Sequence, residues 1–224
     1  MTMERHPTEW EQNYRRQPLQ AFVLTAKEIV VSPVLFFKHL KVSDRLFPVA
    51  VYTVIAQTVG ALVLVGYQAL FVFLEPAIFG ALFQSIRVGD FASGLVIPLV
   101  LGAIVLLVPI FSLIGVFVSA AINHFFLWIL KGTKNGFNAT LQAVSYAATA
   151  QLFVIIPIVG GLAGIYQMIL LAIGLKELHD CPWWKSILTV LIPVIVCCLG
   201  FVFFIGVLLA VLVPLILKAA HQVV

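Results

Sequence analysis

Residues 95–130 read LVIPLVLGAIVLLVPIFSLIGVFVSAAINHFFLWIL, thirty-six residues without one Asp, Glu, Lys or Arg. About 20 apolar residues suffice to carry a helix across the hydrocarbon core of a bilayer. This stretch is far longer, and Pro98 and Pro109 interrupt it. It is therefore one long span or a hairpin of two, and periodicity alone does not choose. The charges on either side of it do.

Four more apolar segments flank this one, at about 46–74, 139–156, 162–175 and 186–217. If 95–130 crosses once, three basic regions share one side of the membrane. They are the seven cations before the first span (Arg5, Arg15, Arg16, Lys27, Lys38, Lys41, Arg45), the pair Lys131 and Lys134, and the pair Lys176 and Lys185. These are eleven of the thirteen Lys and Arg; Arg87 and Lys218 are left on the other side. Cytoplasmic loops carry the Lys/Arg excess. Splitting 95–130 into a hairpin scatters these groups over both faces. Five crossings follow, with the N-terminus cytoplasmic and the C-terminus outside. Tilt, proline kinks or extension past the lipid accommodate the long helices.

Composition agrees. Of 224 residues, 62% are hydrophobic and 10% charged, against about 25% charged in a typical soluble domain. The bilayer must act as solvent for most of the chain. The net charge of +4 is a topology signal rather than a nucleic-acid footprint. Cys181, Cys197 and Cys198 make no disulfide framework. The first 45 residues are too polar for a cleavable signal peptide.

Residues 1–16 are charged and aperiodic and read as a flexible cytoplasmic tail. Residues 17–45 read as an amphipathic interfacial helix with a linker. Leu19, Phe22, Val23, Ala26, Ile29 and Val30 share one helical face, and the helix should stop at Ser32 before Pro33. At about 14 residues it is too short to span and should lie in the interface or dock on the bundle's cytoplasmic end. Residues 46–218 form the five-span domain. Glu75-Pro76 should end the first span, and Arg87, Gly89 and Asp90 lie in the loop after it. Gly132 and Asn135-Gly136 break the chain after the second span, Pro157 and Gly160-Gly161 make a tight return after the third, and Trp183-Trp184-Lys185 anchors the fifth. The fold class is all-α: a polytopic membrane protein with a five-helix transmembrane bundle behind an N-terminal amphipathic helix.

Several motifs recur in a known order. Thr25, Pro33 and Phe36-Phe37 form T-x₇-P-x-x-F-F; Phe137, Thr140, Leu141, Ser145 and Tyr146 form F-x-x-T-L-x-x-x-S-Y. Ile173, Gly174, Leu175, Glu177 and His179 form I-G-L-x-E-x-H, and His124 sits near the end of the second span. Together they resemble the Yip1-domain family of integral membrane proteins, over roughly residues 20–200. Tyr166 stands where the family often has Trp. The resemblance implies five spans with the N-terminus in the cytoplasm. The short N-terminal region resembles prokaryotic members, which implies a bacterial inner or plasma membrane. Eukaryotic relatives are associated with vesicle trafficking and Golgi organisation.

Polar and small residues form stripes inside the spans: Thr53, Gln57, Gly60 and Gln68; Ser112, Gly115, Ser119 and Asn123; Gln142, Ser145, Tyr146 and Thr149; Gly160, Gly164, Gln167 and Gly174. Gln151 falls on a different face of the third span. Polar groups facing lipid are costly, so the stripes should face the bundle. Two readings stand side by side: tight helix packing, or a polar groove for a small molecule or lipid headgroup. The candidate functional residues are Asn123, His124, Gln142, Tyr146, Gln167, Glu177 and His179. Titratable histidines suit metal binding or proton coupling. Equally, His124 can bond a neighbouring helix while Lys176 and His179 favour a helix C-terminus. Two His and one Glu without fixed spacing specify no metal site, so no metal or cofactor is expected.

No nucleophile elbow, zinc-protease motif or P-loop occurs, and an enzyme is not expected. The expected function is a membrane scaffold or adaptor whose partners are the bilayer, proteins at the cytoplasmic face and further copies of the chain, with no nucleic acid. The alternative is a transporter or channel using the polar stripes.

Overall fold

The computed structural model describes residues 5–79 and 97–221. Among them the regular structure is helical, apart from one parallel bridge between His6 and Leu40. Three short helices lead: α1 (Glu9–Asn13), α2 (Pro18–Val31) and α3 (Pro33–His39). The long α4 (Leu46–Phe79) and α5 (Ile97–Ile129) follow. Then come α6 (Gly136–Ala147), a 3-10 segment (Ala148–Ile155), α7 (Pro157–Gly160), α8 (Ala163–His179) and α9 (Trp183–His221).

Helices α4, α5 and α9 are each long and apolar enough to cross a membrane. The pair α2 and α3 makes a fourth only if counted as one broken span, bent by 116°. Helices α6 and α8 are shorter, and they form the bundle's interior. Every residue from 139 to 150 is buried, as are residues 170–175 and 177–179. Small residues permit the close approach. A Cβ on Gly174 of α8 would meet Ala143 Cβ and Phe37 Cε1, both at 3.0 Å.

The three basic regions do meet. Arg5 pairs with Asp180 at 3.5 Å, Lys134 Nζ donates to the Asp180 carbonyl at 2.8 Å, and Lys185 Nζ donates to the Lys131 carbonyl at 2.9 Å. We call this the basic end. At the far end the Tyr67 hydroxyl of α4 donates to the Ile155 carbonyl at 2.6 Å.

Several expectations are corrected. Residues 5–16 are no tail. Thr8 caps α1 by accepting from the Glu11 amide, and Trp10 is 1% exposed. Its indole Nε1 donates to the Pro48 carbonyl at 2.6 Å, and its ring meets Phe22 and Tyr52 edge-on. A buried aromatic with a bonded N–H anchors a segment firmly. Helix α2 does stop at Ser32, but the expected linker holds α3, whose Phe36 and Phe37 are buried. Of the expected inward face of α2, Phe22, Ala26 and Ile29 are buried while Leu19 and Val23 are exposed. The buried set is completed by Ala21 and Thr25, so the inward face is rotated from the apolar one.

Helix α4 runs on through Glu75-Pro76 to Phe79, as apolar helices tolerate proline where neighbours re-satisfy the backbone. The segment expected as one α-helix over 139–156 changes to a 3-10 helix at Ala148, and the fourth helix continues past 175 to His179. The loop residues Arg87, Gly89 and Asp90 lie outside the described residues.

Candidate functional site

Two polar clusters lie inside the basic end. The first joins three helices through Thr140 of α6. The turn before α6 aims its backbone amides at His179: Lys134 N and Asn135 N lie 3.3 and 3.4 Å from Nδ1. Backbone N–H groups only donate, so Nδ1 is an acceptor and the His179 proton sits on Nε2. That proton is donated to Thr140 Oγ1 at 2.9 Å. The Thr140 hydroxyl then donates to His124 Nδ1 at 2.8 Å. The chain of bonds fixes one tautomer for each imidazole and runs from the turn through α8 and α6 to α5. Asn135 Nδ2 also donates to the Leu178 carbonyl, and Gly136 takes the positive φ of 70° that the turn requires. The expected bond from His124 to a neighbouring helix is thus present, and His179 holds the turn by hydrogen bonds.

The second cluster is built on Glu11. The Tyr146 hydroxyl donates to Glu11 Oε1 at 2.6 Å, and Gln142 Nε2 donates to the same oxygen at 3.3 Å. Gln142 Oε1 accepts from the Ser43 amide at 3.3 Å. Thr8 Oγ1 lies 3.1 Å from the Tyr146 oxygen, whose proton is already given to Glu11, so Thr8 is the donor. Burial raises the Glu11 pKa, and the hydrogen bonds from Tyr146 and Gln142 pull it partly back. Below this cluster Tyr52 and Thr149 are linked at 2.8 Å, and the Tyr146 ring packs on Tyr52 and Phe36.

The seven candidate residues therefore separate. His124 and His179 come together, with ring centroids 6.1 Å apart. Gln142 and Tyr146 join Glu11, which lines an open pocket of about 550 Å³ together with Lys41, Asp44 and Arg45. Gln167 accepts from Gln151 Nε2 at 2.6 Å. Glu177 is buried and paired with Lys176, while Arg5 donates to its carbonyl at 3.4 Å. Asn123 Nδ2 donates to the Ser119 carbonyl of its own helix at 2.8 Å, and its Oδ1 has no partner. Asn123 and Gln167 border an open groove of about 410 Å³ between α5, α8 and α9. Packing and groove are thus both present, in different places, while Gln68, expected to face the bundle from the first span, is exposed. Among the described residues no three His, Cys, Asp or Glu side chains converge as a metal would need.

Sequence reasoning missed Glu11 and Thr8, although T-x-x-E at Thr8–Glu11 is a capping box that marks a helix start. It named Thr140 only as part of a motif. The motif residues turn out to be neighbours in space. Thr140 bonds both His124 and His179, Phe37 touches the position of Gly174, and Phe36 stacks edge-on with Tyr146.

The Yip1 domain family matches residues 27–206, which is 180 of the 224 residues. No curated protein and no solved structure matches the chain.

Proposed function

This chain belongs to the Yip1-domain family, and from that premise we propose a non-catalytic membrane scaffold that gathers partners at its basic end. The process it serves is membrane organisation or trafficking. On this reading it crosses the bilayer five times, with the buried rod of α6 and its 3-10 continuation as the third crossing and α8 as the fourth. The N-terminus and the basic end are cytoplasmic and the C-terminus is outside. The membrane is a bacterial inner or plasma membrane, as the resemblance of the N-terminal region suggests. Support comes from the meeting of the three basic regions and from the eleven-to-two division of the cations.

One observation carries the scaffold reading. The polar side chains of the bundle interior are largely occupied with one another: Gln142 and Tyr146 with Glu11, Tyr52 with Thr149, and Gln151 with Gln167. Meanwhile Arg15, Arg16, Lys27 and Lys38 face outward around α1 to α3. Interior side chains bonded mostly to one another and a charged outer surface suit contact rather than conduction. The transporter reading draws on the groove at Asn123 and Gln167.

The test pairs two measurements. Photo-crosslinkers at Arg15, Arg16 and Lys38 in cells should give discrete protein adducts that crosslinkers on α9 do not. Purified chain in liposomes should pass neither ions nor small metabolites. Solute flux that disappears with Asn123→Leu or His124→Phe overturns the scaffold in favour of transport. Five crossings require that a lone cysteine at Gly161, in a chain whose native cysteines are replaced, be labelled from outside, and one at Lys134 from inside.

A further inference from the structure

The groove between α5, α8 and α9 carries an observation that neither packing nor the scaffold uses. Asn123 is 6% exposed, lies within the apolar span of α5, and leaves its Oδ1 without a hydrogen bond. A buried amide oxygen without a donor costs about 1–3 kcal/mol. Its surroundings offer little help. The groove walls are mainly Val118, Ile122, Met168, Leu171, Val190 and Val194, with Ser119 and Gln167 the other side chains able to hydrogen-bond. One unpaired acceptor thus stands at an apolar groove.

A ligand that fits must bring a hydroxyl and an apolar body, and it must arrive from the bilayer, because the groove opens between apolar spans. No Lys, Arg or His lines the groove, so nothing there would neutralise a phosphate. A second, apolar hollow of about 520 Å³ adjoins it along α5 and α9 and shares Ile122 and Pro193. Two neighbouring apolar hollows beside one unpaired acceptor suit a lipid with two acyl chains and one free hydroxyl.

We propose that this groove binds diacylglycerol, taken laterally from the bilayer, with its free hydroxyl donating to Asn123 Oδ1. The amide torsion of asparagine is soft, and turning χ2 to bring the oxygen to the groove exchanges the Nδ2 bond to the Ser119 carbonyl for the ligand's hydroxyl. The scaffold reading can fail without touching this site, and the reverse also holds.

The glycines supply a clean way to block it. A Cβ at Gly115 or Gly164, both in the groove wall, meets nothing within 4 Å. Gly164→Leu therefore starts from open space at its Cβ and extends its side chain into the groove. The full chain in nanodiscs would be irradiated with a photoactivatable diacylglycerol and the labelled peptides identified. Labelling should fall on α5, α8 and α9 around Asn123 and be displaced by unlabelled diacylglycerol but not by phosphatidylcholine. Asn123→Leu should weaken it about tenfold, the scale of one hydrogen bond in apolar surroundings, and Gly164→Leu should abolish it. Diacylglycerol should also raise the thermal midpoint of the native chain in detergent and leave that of Asn123→Leu unmoved. Labelling that ignores both substitutions overturns the proposal. So does displacement by a sterol in preference to diacylglycerol, or cysteine crosslinking that places α9 of a second copy in the groove.

Discussion

Residues 139–150 and residues 199–210 are two stretches of equal length with opposite fates. The first, in α6 and the 3-10 segment, carries Thr140, Gln142, Ser145, Tyr146 and Thr149, and all of it is buried. The second, in α9, reads LGFVFFIGVLLA, and all of it is exposed except the half-buried Ile205. In water the assignment would be reversed. In lipid the apolar residue is already solvated, and a polar one gains most from a partner inside. The span of α9 is accordingly 6% buried against 33% for α4. Inside, each position depends on a neighbour; outside, composition alone suffices.

Substitutions can break this contrast. The largest effect is expected at Phe37, which is 0% exposed and packs against Gly174. Phe37→Ala should destabilise the chain by about 3–5 kcal/mol, read as a fall in the thermal midpoint in detergent; a midpoint within error of the native one would end the claim that α3 belongs to the core. Next comes Thr140→Val, which keeps shape but removes the hydroxyl between His124 and His179. It should cost about 1–3 kcal/mol and speed hydrogen exchange at the Lys134 and Asn135 amides.

A gentler effect is expected at Glu11. Its pKa is raised in the docked segment, chiefly by burial. The docked state therefore holds its proton more tightly than the undocked one, and docking is full below the undocked value and weakens as pH rises through the raised one. Protection of the α1 amides, corrected for intrinsic exchange, should fall over that window. Glu11→Gln should flatten the dependence, and an unchanged slope would refute the role of this carboxyl. The smallest effect is expected outside: Phe203, 74% exposed on α9, should accept Leu within about 0.5 kcal/mol. A loss there as large as at Thr140 would mean that α9 packs on protein and that the contrast is wrong.

Much of the interior was legible from residues alone, for a physical reason. Helix ends at Ser32-Pro33 and at Lys131–Gly136 are local chemistry, and the polar stripe of α6 points inward because lipid penalises the alternative. The docking of α1 was not legible. Trp10 is held by Phe22, Tyr52 and Pro48, partners distant in sequence that no local pattern announces. The shared oxygen between two histidines was hidden for the same reason. Thr140 is 16 residues from His124 and 39 from His179. The candidate residues were found as a set, and their division into a packed half and a groove half depends on how three helices cross.

The change from α6 to a 3-10 helix at Ala148 has a consequence for reach. A 3-10 helix advances about 2.0 Å per residue against 1.5 Å in an α-helix. The twenty residues from Gly136 to Ile155 thus extend about 34 Å instead of about 30 Å. The tighter winding also turns each later side chain by about 20° more than an α-helix would. The innermost rod is a short sequence stretched beyond its α-helical length and wound more tightly over its second part.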